Sequence, residues 1–304
     1  MSKHQFDFTR RDFLLKSGQA GIALAGLGAL AACSKPAAQK TPAEMRMGLV
    51  TYQWGRDWDL PTLIANCEKT NFLGVELRTQ HAHHVEPSLT AAQRAEVKKR
   101  FDDSPVTCIG YGSNQAFHYP DPAVLRKSIE DTFELIKLSH DIGGSGVKVK
   151  PNDLPDDVPK EKTIEQIGRS LNEVGKFAAN YGQKIRVEVH GRKTSEIPNM
   201  KAIFDHVTEP NVGICWNCNE QDLLPPGLEA NFNSIKDRFG ETVHVRELNI
   251  GNYPYQQLFD LFVGMGYGGW ILLEARTNPP DRIAAMKEQL QVFKEMIANA
   301  KAKA

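Results

Sequence analysis

Three ionisable side chains stand in apolar, strand-like runs late in the chain: Glu188 in Val187-Glu188-Val189-His190, His244 in Val243-His244-Val245-Arg246, and Glu274 closing Trp270-Ile271-Leu272-Leu273-Glu274. Two carboxylates and an imidazole are a minimal donor set for a divalent ion that keeps coordination positions open, as Lewis-acid chemistry requires. The competing assignment is a web of ion pairs with Arg78, Lys148, Lys150, Arg186 and Arg246. Buried charge needs counter-charge in both cases, so residue types alone leave both open. His190 shares a strand face with Glu188 and could bind a ligand hydroxyl, join a metal shell or relay a proton; the alternative is a hydrogen-bonded structural imidazole. Glu76 and Arg78 are followed by His81, His83 and His84, which read either as a zinc cluster or as solvated loop histidines.

Such side chains need a scaffold that gathers distant strands. Apolar runs at 45–52, 74–78, 106–112, 146–150, 184–190, 211–217, 242–248 and 269–275 alternate with segments of helical periodicity, such as Ile164, Ile167, Leu171, Val174 and Phe177. Eight β-then-α units over about 250 residues predict an α/β chain folded as a (β/α)8 TIM barrel. A doubly wound sheet would need strands apolar on both faces. Here Arg186, Glu188 and His190 alternate with Ile185, Val187 and Val189, and Lys148 and Lys150 with Val147 and Val149. Glu76 and Arg78 oppose Val75 and Leu77, and His244 and Arg246 oppose Val243 and Val245. In a closed barrel the apolar set faces the helices and the polar set faces inward, which puts a site at the C-terminal mouth.

The order and spacing of Gly74-Val75-Glu76-Leu77-Arg78, Val187-Glu188-Val189-His190, Asn211-Val212-Gly213-Ile214-Cys215-Trp216-Asn217, Val243-His244-Val245-Arg246-Glu247 and Gly268-Gly269-Trp270-Ile271-Leu272-Leu273-Glu274 resemble the xylose isomerase-like TIM barrels, the sugar isomerase/epimerase superfamily. The resemblance implies a divalent metal (manganese, magnesium or zinc) held by Glu188, Asn217, His244 and Glu274. It departs from the family pattern at Asn217, where an Asp is usual; an amide oxygen can coordinate but removes a negative charge, which weakens a hard dication's hold. The resemblance also implies that Glu188 and Glu274 act as a base and acid pair on opposite faces of a carbohydrate, moving a proton beside its carbonyl. Trp54, Glu76, Arg78, Lys150, His190 and Arg246 are the substrate-binding candidates that go with this reading. Trp54 is preferred to Trp216 for stacking on a sugar ring, because Trp216 turns outward if Asn217 points inward. Cys215 and Cys218 have CxxC spacing, but in an extended strand they fall on opposite faces, unlike a redox pair at a helix start. With Cys67 and Cys108 they read as buried free thiols.

Residues 1–33 read as an export signal: Thr9-Arg10-Arg11-Asp12-Phe13-Leu14 is a twin-arginine signature, an uncharged stretch follows from Ser17, and Leu30-Ala31-Ala32-Cys33 resembles a lipobox. The apolar run falls short of the ~20 residues of a spanning helix and is broken by glycines. The expectation is cleavage before Cys33, lipidation of its thiol, and a periplasmic protein anchored to a membrane through its lipid. Residues 34–44 are then an Ala/Pro-rich tether and 45–304 the barrel. Lys and Arg number 37, as do Asp and Glu, so no net charge favours nucleic acid. This argues against the abasic-DNA endonucleases of the same superfamily. The expected function is a sugar isomerase or epimerase on an unphosphorylated substrate, with a 3-keto-glycoside lyase or hydratase using the same site as one alternative and a non-catalytic sugar-binding lipoprotein as another. A homo-oligomer is compatible with all three.

Overall fold

A computed structural model describes residues 44–304. The signal at 1–33, with Cys33, and tether residues 34–43 lie outside the described residues. Eight parallel strands close into a barrel: β1 (Arg46–Val50), β2 (Gly74–Arg78), β3 (Thr107–Ala116), β4 (Gly146–Lys150), β5 (Lys184–Glu188), β6 (Val212–Trp216), β7 (Phe239–Val245) and β8 (Trp270–Leu273), each pairing with its neighbours in sequence and β8 with β1. The helices that follow are α1 (Leu60–Thr70), α2 (Ala91–Asp102), α3 (Pro122–Asp141), α4 (Lys160–Ala179), α5 (Ile197–Asp205), α6 (Leu228–Ile235), α7 (Tyr255–Gly264) and α8 (Arg282–Lys303). This is the (β/α)8 barrel that the alternation predicts.

Period-two patterning explains how the strands divide their faces. Val75, Leu77, Val147, Val149, Ile185, Val187, Val243 and Val245 are buried in the main core with the inner faces of the helices, such as Ile164, Ile167, Leu171 and Val174 of α4. Short polar side chains start several helices: Asp59 accepts from the Thr62 N–H, Thr90 and Gln93 form a reciprocal capping box, and Asp281 accepts from the Ala284 N–H. The barrel interior is layered. A small apolar cluster of Val50, Ile109, Trp270 and Leu272 occupies part of it. The Arg186 guanidinium donates to the Ile109 carbonyl oxygen (2.9 Å) and to Ser145 Oγ (2.7 Å), which satisfies part of a nearly sealed charge near the strands' starts. Ionisable groups crowd the other end, where β4 and β5 continue into loops joined by a two-residue parallel ladder, Asn152 and Asp153 with Gly191 and Arg192.

Candidate functional site

The charged layer is built from the last inward positions of five strands. Glu76 and Arg78 come from β2, Lys148 and Lys150 from β4, Glu188 from β5, His244 from β7, and Glu274 from the residue after β8. Glu188, His244 and Glu274 each offer a donor atom within 4.8 Å of the others, and all three are buried. His244 Nδ1 lies 4.0 Å from Glu188 Oε1 and 4.0 Å from Glu274 Oε2.

The atoms turned away from this centre are held by charged neighbours. Lys148 Nζ donates to Glu188 Oε2 at 2.5 Å, Arg78 Nη1 donates to Glu274 Oε1 at 3.3 Å, and Glu76 Oε1 lies 3.3 Å from His244 Nε2. Glu188 Oε1, Glu274 Oε2 and His244 Nδ1 are thereby left facing one another. Burial alone would raise the Glu188 carboxyl, but Lys148, His244, Lys150 and His190 outweigh it and hold Glu188 below the ordinary glutamate range. It is an anion at neutral pH. Nδ1 of His244 is buried and has no hydrogen-bond partner among the described residues, a cost that a bound cation would relieve. Two carboxylates and an imidazole nitrogen without a partner among the described residues fit a divalent ion, with the ion pairs to Lys148 and Arg78 standing behind them.

Asn217 follows β6 and is buried, with its Nδ2 3.5 Å from Asn219 Oδ1. Asn219 in turn donates to the Val189 carbonyl oxygen (2.6 Å), and its N–H is accepted by Asp222 Oδ2 (2.8 Å). Tyr253 donates to the same Asp222 oxygen at 2.7 Å, so this turn ties the ends of β5 and β6 to the loop before α7. Burial pushes the Asp222 carboxyl up to about 7. Restoring a carboxylate by Asn217→Asp is expected to tighten zinc or manganese about tenfold if position 217 belongs to the donor set, because affinity follows ligand charge. Competition with a chromophoric chelator measures this; unchanged or weaker binding would remove 217 from the set.

Lys150 is half-buried at the mouth, 3.4 Å from Asn114 Oδ1, and burial followed by the nearby Lys148 lowers its ammonium to about 8. His190 is half-buried, its Nδ1 has no partner among the described residues, and burial brings it down to about 4, so it is neutral at pH 7. Arg78 reaches Asn114 Oδ1 (3.2 Å) as well as Glu274. Arg246 follows β7; its main-chain N–H donates to the Tyr255 hydroxyl (2.9 Å), and its Nε is buried without a partner among the described residues.

Other candidates sit differently from expectation. Trp54 is only 2 % exposed and its indole N–H donates to the Thr277 carbonyl oxygen (3.0 Å), so its ring packs in the core and offers no face to a substrate. Glu76 is fully buried and turned to His244, a layer deeper than Arg78, so it does not meet a substrate as a rim residue would. The three histidines after β2 do not form one cluster. His83 is buried and brackets its loop: Nδ1 accepts the Val85 N–H (3.0 Å) and Nε2 donates to the Arg78 carbonyl oxygen (2.8 Å), which spends both nitrogens. His81 Nδ1 takes the Thr51 hydroxyl (3.1 Å), and that hydroxyl oxygen accepts the Arg78 N–H (2.9 Å). His84 is exposed with φ of 55°. Trp216 points outward against Phe232 and Phe239, and Cys67, Cys108, Cys215 and Cys218 are free and buried, Cys218 in left-handed backbone past the end of β6.

Asn114, Thr51, Ser113 and Asn219 are polar partners that sequence reading did not single out. Thr51 and Asn219 lie just past strand ends, and Ser113 and Asn114 lie where β3 shifts register against β4, so periodicity gives no signal; the Ser and Asn types were the available hint. Cavities of about 820 and 490 Å³ open at the opposite, N-terminal end of the barrel, around Met45, Trp270 and Phe293 and around Arg186, Asn211 and Arg238. They lack the convergent donor set, and in this fold chemistry is carried at the C-terminal face.

Among solved structures the chain is similar to an L-ribulose 3-epimerase, at 16 % identity and TM-score 0.73, covering 85 % of this chain and 96 % of that one. It is also similar to 3-keto-D-glucoside 4-epimerase YcjR from E. coli, at 14 % identity and TM-score 0.70 over 83 % and 100 % of the two chains. A third similar structure is the IOLI protein with a binding zinc atom, at 14 % identity and TM-score 0.68 over 85 % and 99 %. No curated protein matches the chain. At these identities the likeness speaks for the fold, whereas the model of one family, the xylose isomerase-like TIM barrels, matches residues 64–296, nearly the whole barrel. The chain belongs to the xylose isomerase-like TIM barrel family.

Proposed function

We propose that this protein is a sugar isomerase or epimerase that moves a proton on the carbon beside a carbonyl, with a divalent ion held by Glu188, His244 and Glu274 and assisted by Asn217. The observation that carries this reading is the convergence of two buried carboxylates and an unpartnered imidazole nitrogen within 4.8 Å at the functional face of the barrel. The similar structures, two epimerases of sugars and one protein with zinc, support it.

A dication at this site would polarise the substrate carbonyl and stabilise the negative charge that grows on its oxygen. Glu188 stays ionised because Lys148 opposes its protonation, so it can accept the proton, yet only from a carbon acidified by that polarisation. Glu274, steered by Arg78 and completing the donor set beside Glu188, would return a proton to the other face of the substrate after taking one from solvent. Lys150, Asn114 and His190 would bind hydroxyl groups at the rim.

One observation favours elimination as a second outcome. The Lys150 ammonium is lowered to about 8, near enough to neutrality to protonate a leaving oxygen, so a 3-keto-glycoside could lose its aglycone after the same first step. We also propose twin-arginine export and lipidation at Cys33, which would present the enzyme with unphosphorylated sugars; palmitate labelling that survives Cys33→Ser would dismiss the anchor. The chemistry is tested by incubating unphosphorylated ketoses, aldoses and keto-glycosides with the protein and zinc, manganese or magnesium in deuterated water. Deuterium is expected on the carbon beside the carbonyl, and no incorporation from any candidate would leave a sugar-binding protein as the better reading.

A further inference from the structure

We propose that Glu76 is a positioning residue that fixes His244 so that Nδ1, and not Nε2, is the nitrogen offered to the divalent ion. The inference rests on the metal reading above and goes beyond it by assigning a task to a carboxylate that no substrate can reach. Glu76 Oε1 lies 3.3 Å from His244 Nε2, and both side chains are fully sealed from solvent. Neither oxygen of Glu76 has any other hydrogen-bond partner among the described residues, and neither nitrogen of His244 does. Glu76 is the carboxylate nearest Nε2, and the buried Cys215 thiol is a further neighbour of the ring.

The surroundings are shaped for the pair. A Cβ at Gly112 would come within 2.6 Å of Glu76 Oε1, so the glycine on β3 is what leaves the carboxylate room to lie against the imidazole. A carboxylate beside Nε2 holds a proton on that nitrogen, so Nδ1, which faces Glu188 Oε1 and Glu274 Oε2 at 4.0 Å, is the nitrogen that would give its lone pair to a cation. A flipped ring would turn Nε2 to the carboxylates and leave Glu76 buried with no donor. Glu76, Lys148 and Arg78 are thus three outer contacts of the same kind, each holding the far atom of one inner donor. Such contacts typically change metal affinity by roughly 10- to 100-fold.

The test combines affinity with a spectroscopic signature. Zinc affinity is measured by chelator competition for wild type, Glu76→Leu and Glu76→Gln, and the histidine ring nitrogens of the zinc-loaded wild type are assigned by ¹⁵N NMR. The expected results are a roughly 10- to 100-fold loss in Glu76→Leu, partial rescue in Glu76→Gln, whose amide oxygen still accepts from Nε2, and a wild-type His244 protonated on Nε2 with zinc on Nδ1. Equal zinc affinity in wild type and Glu76→Leu, or zinc on Nε2 in wild type, overturns this inference and leaves the metal reading standing. A wild type that binds none of zinc, manganese or magnesium overturns both. If the leucine variant does not fold, the wild-type nitrogen assignment decides alone.

Discussion

Glu188→Gln is expected to lower deuterium incorporation into substrate by about 1,000-fold or more, with the protein still folded. Two losses coincide in this one change. The amide cannot take a proton, and a positioned general base contributes roughly 10²- to 10⁴-fold. The variant also replaces one of the two carboxylates that lie within 4.8 Å of each other and of His244, which would weaken the hold on an ion bound there. The fold survives because the glutamine oxygen can still accept from Lys148 Nζ, now 2.5 Å from Glu188 Oε2, and the side chain keeps its volume. Separating the two losses requires exchange rates at saturating metal: recovery of activity with added zinc would assign Glu188 to metal binding only, and retention of exchange within tenfold under all conditions would remove it from the mechanism.

The parts of this site that the sequence made visible are those set by strand alternation. Glu188, His244 and Glu274 are separated by dozens of residues, yet each interrupts an apolar run at the end of a strand, and β5 through β8 stand side by side in the barrel. Alternation says which face a side chain takes but not how deep it lies. Glu76 and Arg78 share an inward face; the stagger that pairs Glu76 with Val50 and Gly110 places it under the site, while Arg78 two residues on reaches Glu274. Burial of Trp54 was equally out of reach, since it depends on Thr277 and on Arg282, which donates to the Trp54 carbonyl oxygen from α8 more than two hundred residues away. His83 looked like one of three loop histidines because its partners are main-chain groups, which sequence does not display. Non-local contacts and strand stagger, rather than residue type, therefore account for the misplacements.

Lys148→Met should be the most destabilising change in the site. Lys148 Nζ and Glu188 Oε2 are 2.5 Å apart with side-chain exposures of 0 % and 2 %, and the ammonium also donates to the Ser113 carbonyl oxygen at 3.2 Å. Methionine matches the stem but leaves Glu188 as a buried anion without its cation, and breaking a buried pair from one side costs about 3–5 kcal/mol. For a domain of this size each kcal/mol moves the melting temperature by about 2–4 °C, so a fall of roughly 6–20 °C is expected at neutral pH. The pH dependence carries the sign. In the wild type the folded pKa of Glu188 lies below its ordinary value of 4.5, so the pair stabilises fully above that value and the contribution is lost as pH falls through the folded pKa. Without Lys148, burial is opposed chiefly by His244, the folded pKa rises, and acidification lets Glu188 take a proton that relieves its cost. The melting temperatures of the two proteins should therefore draw together as pH is lowered from 8 toward 5. Thermal melts by circular dichroism across that range, in chelator so that no ion contributes, measure the gap; one that stays constant with pH would show that the Lys148 and Glu188 charges do not stabilise each other.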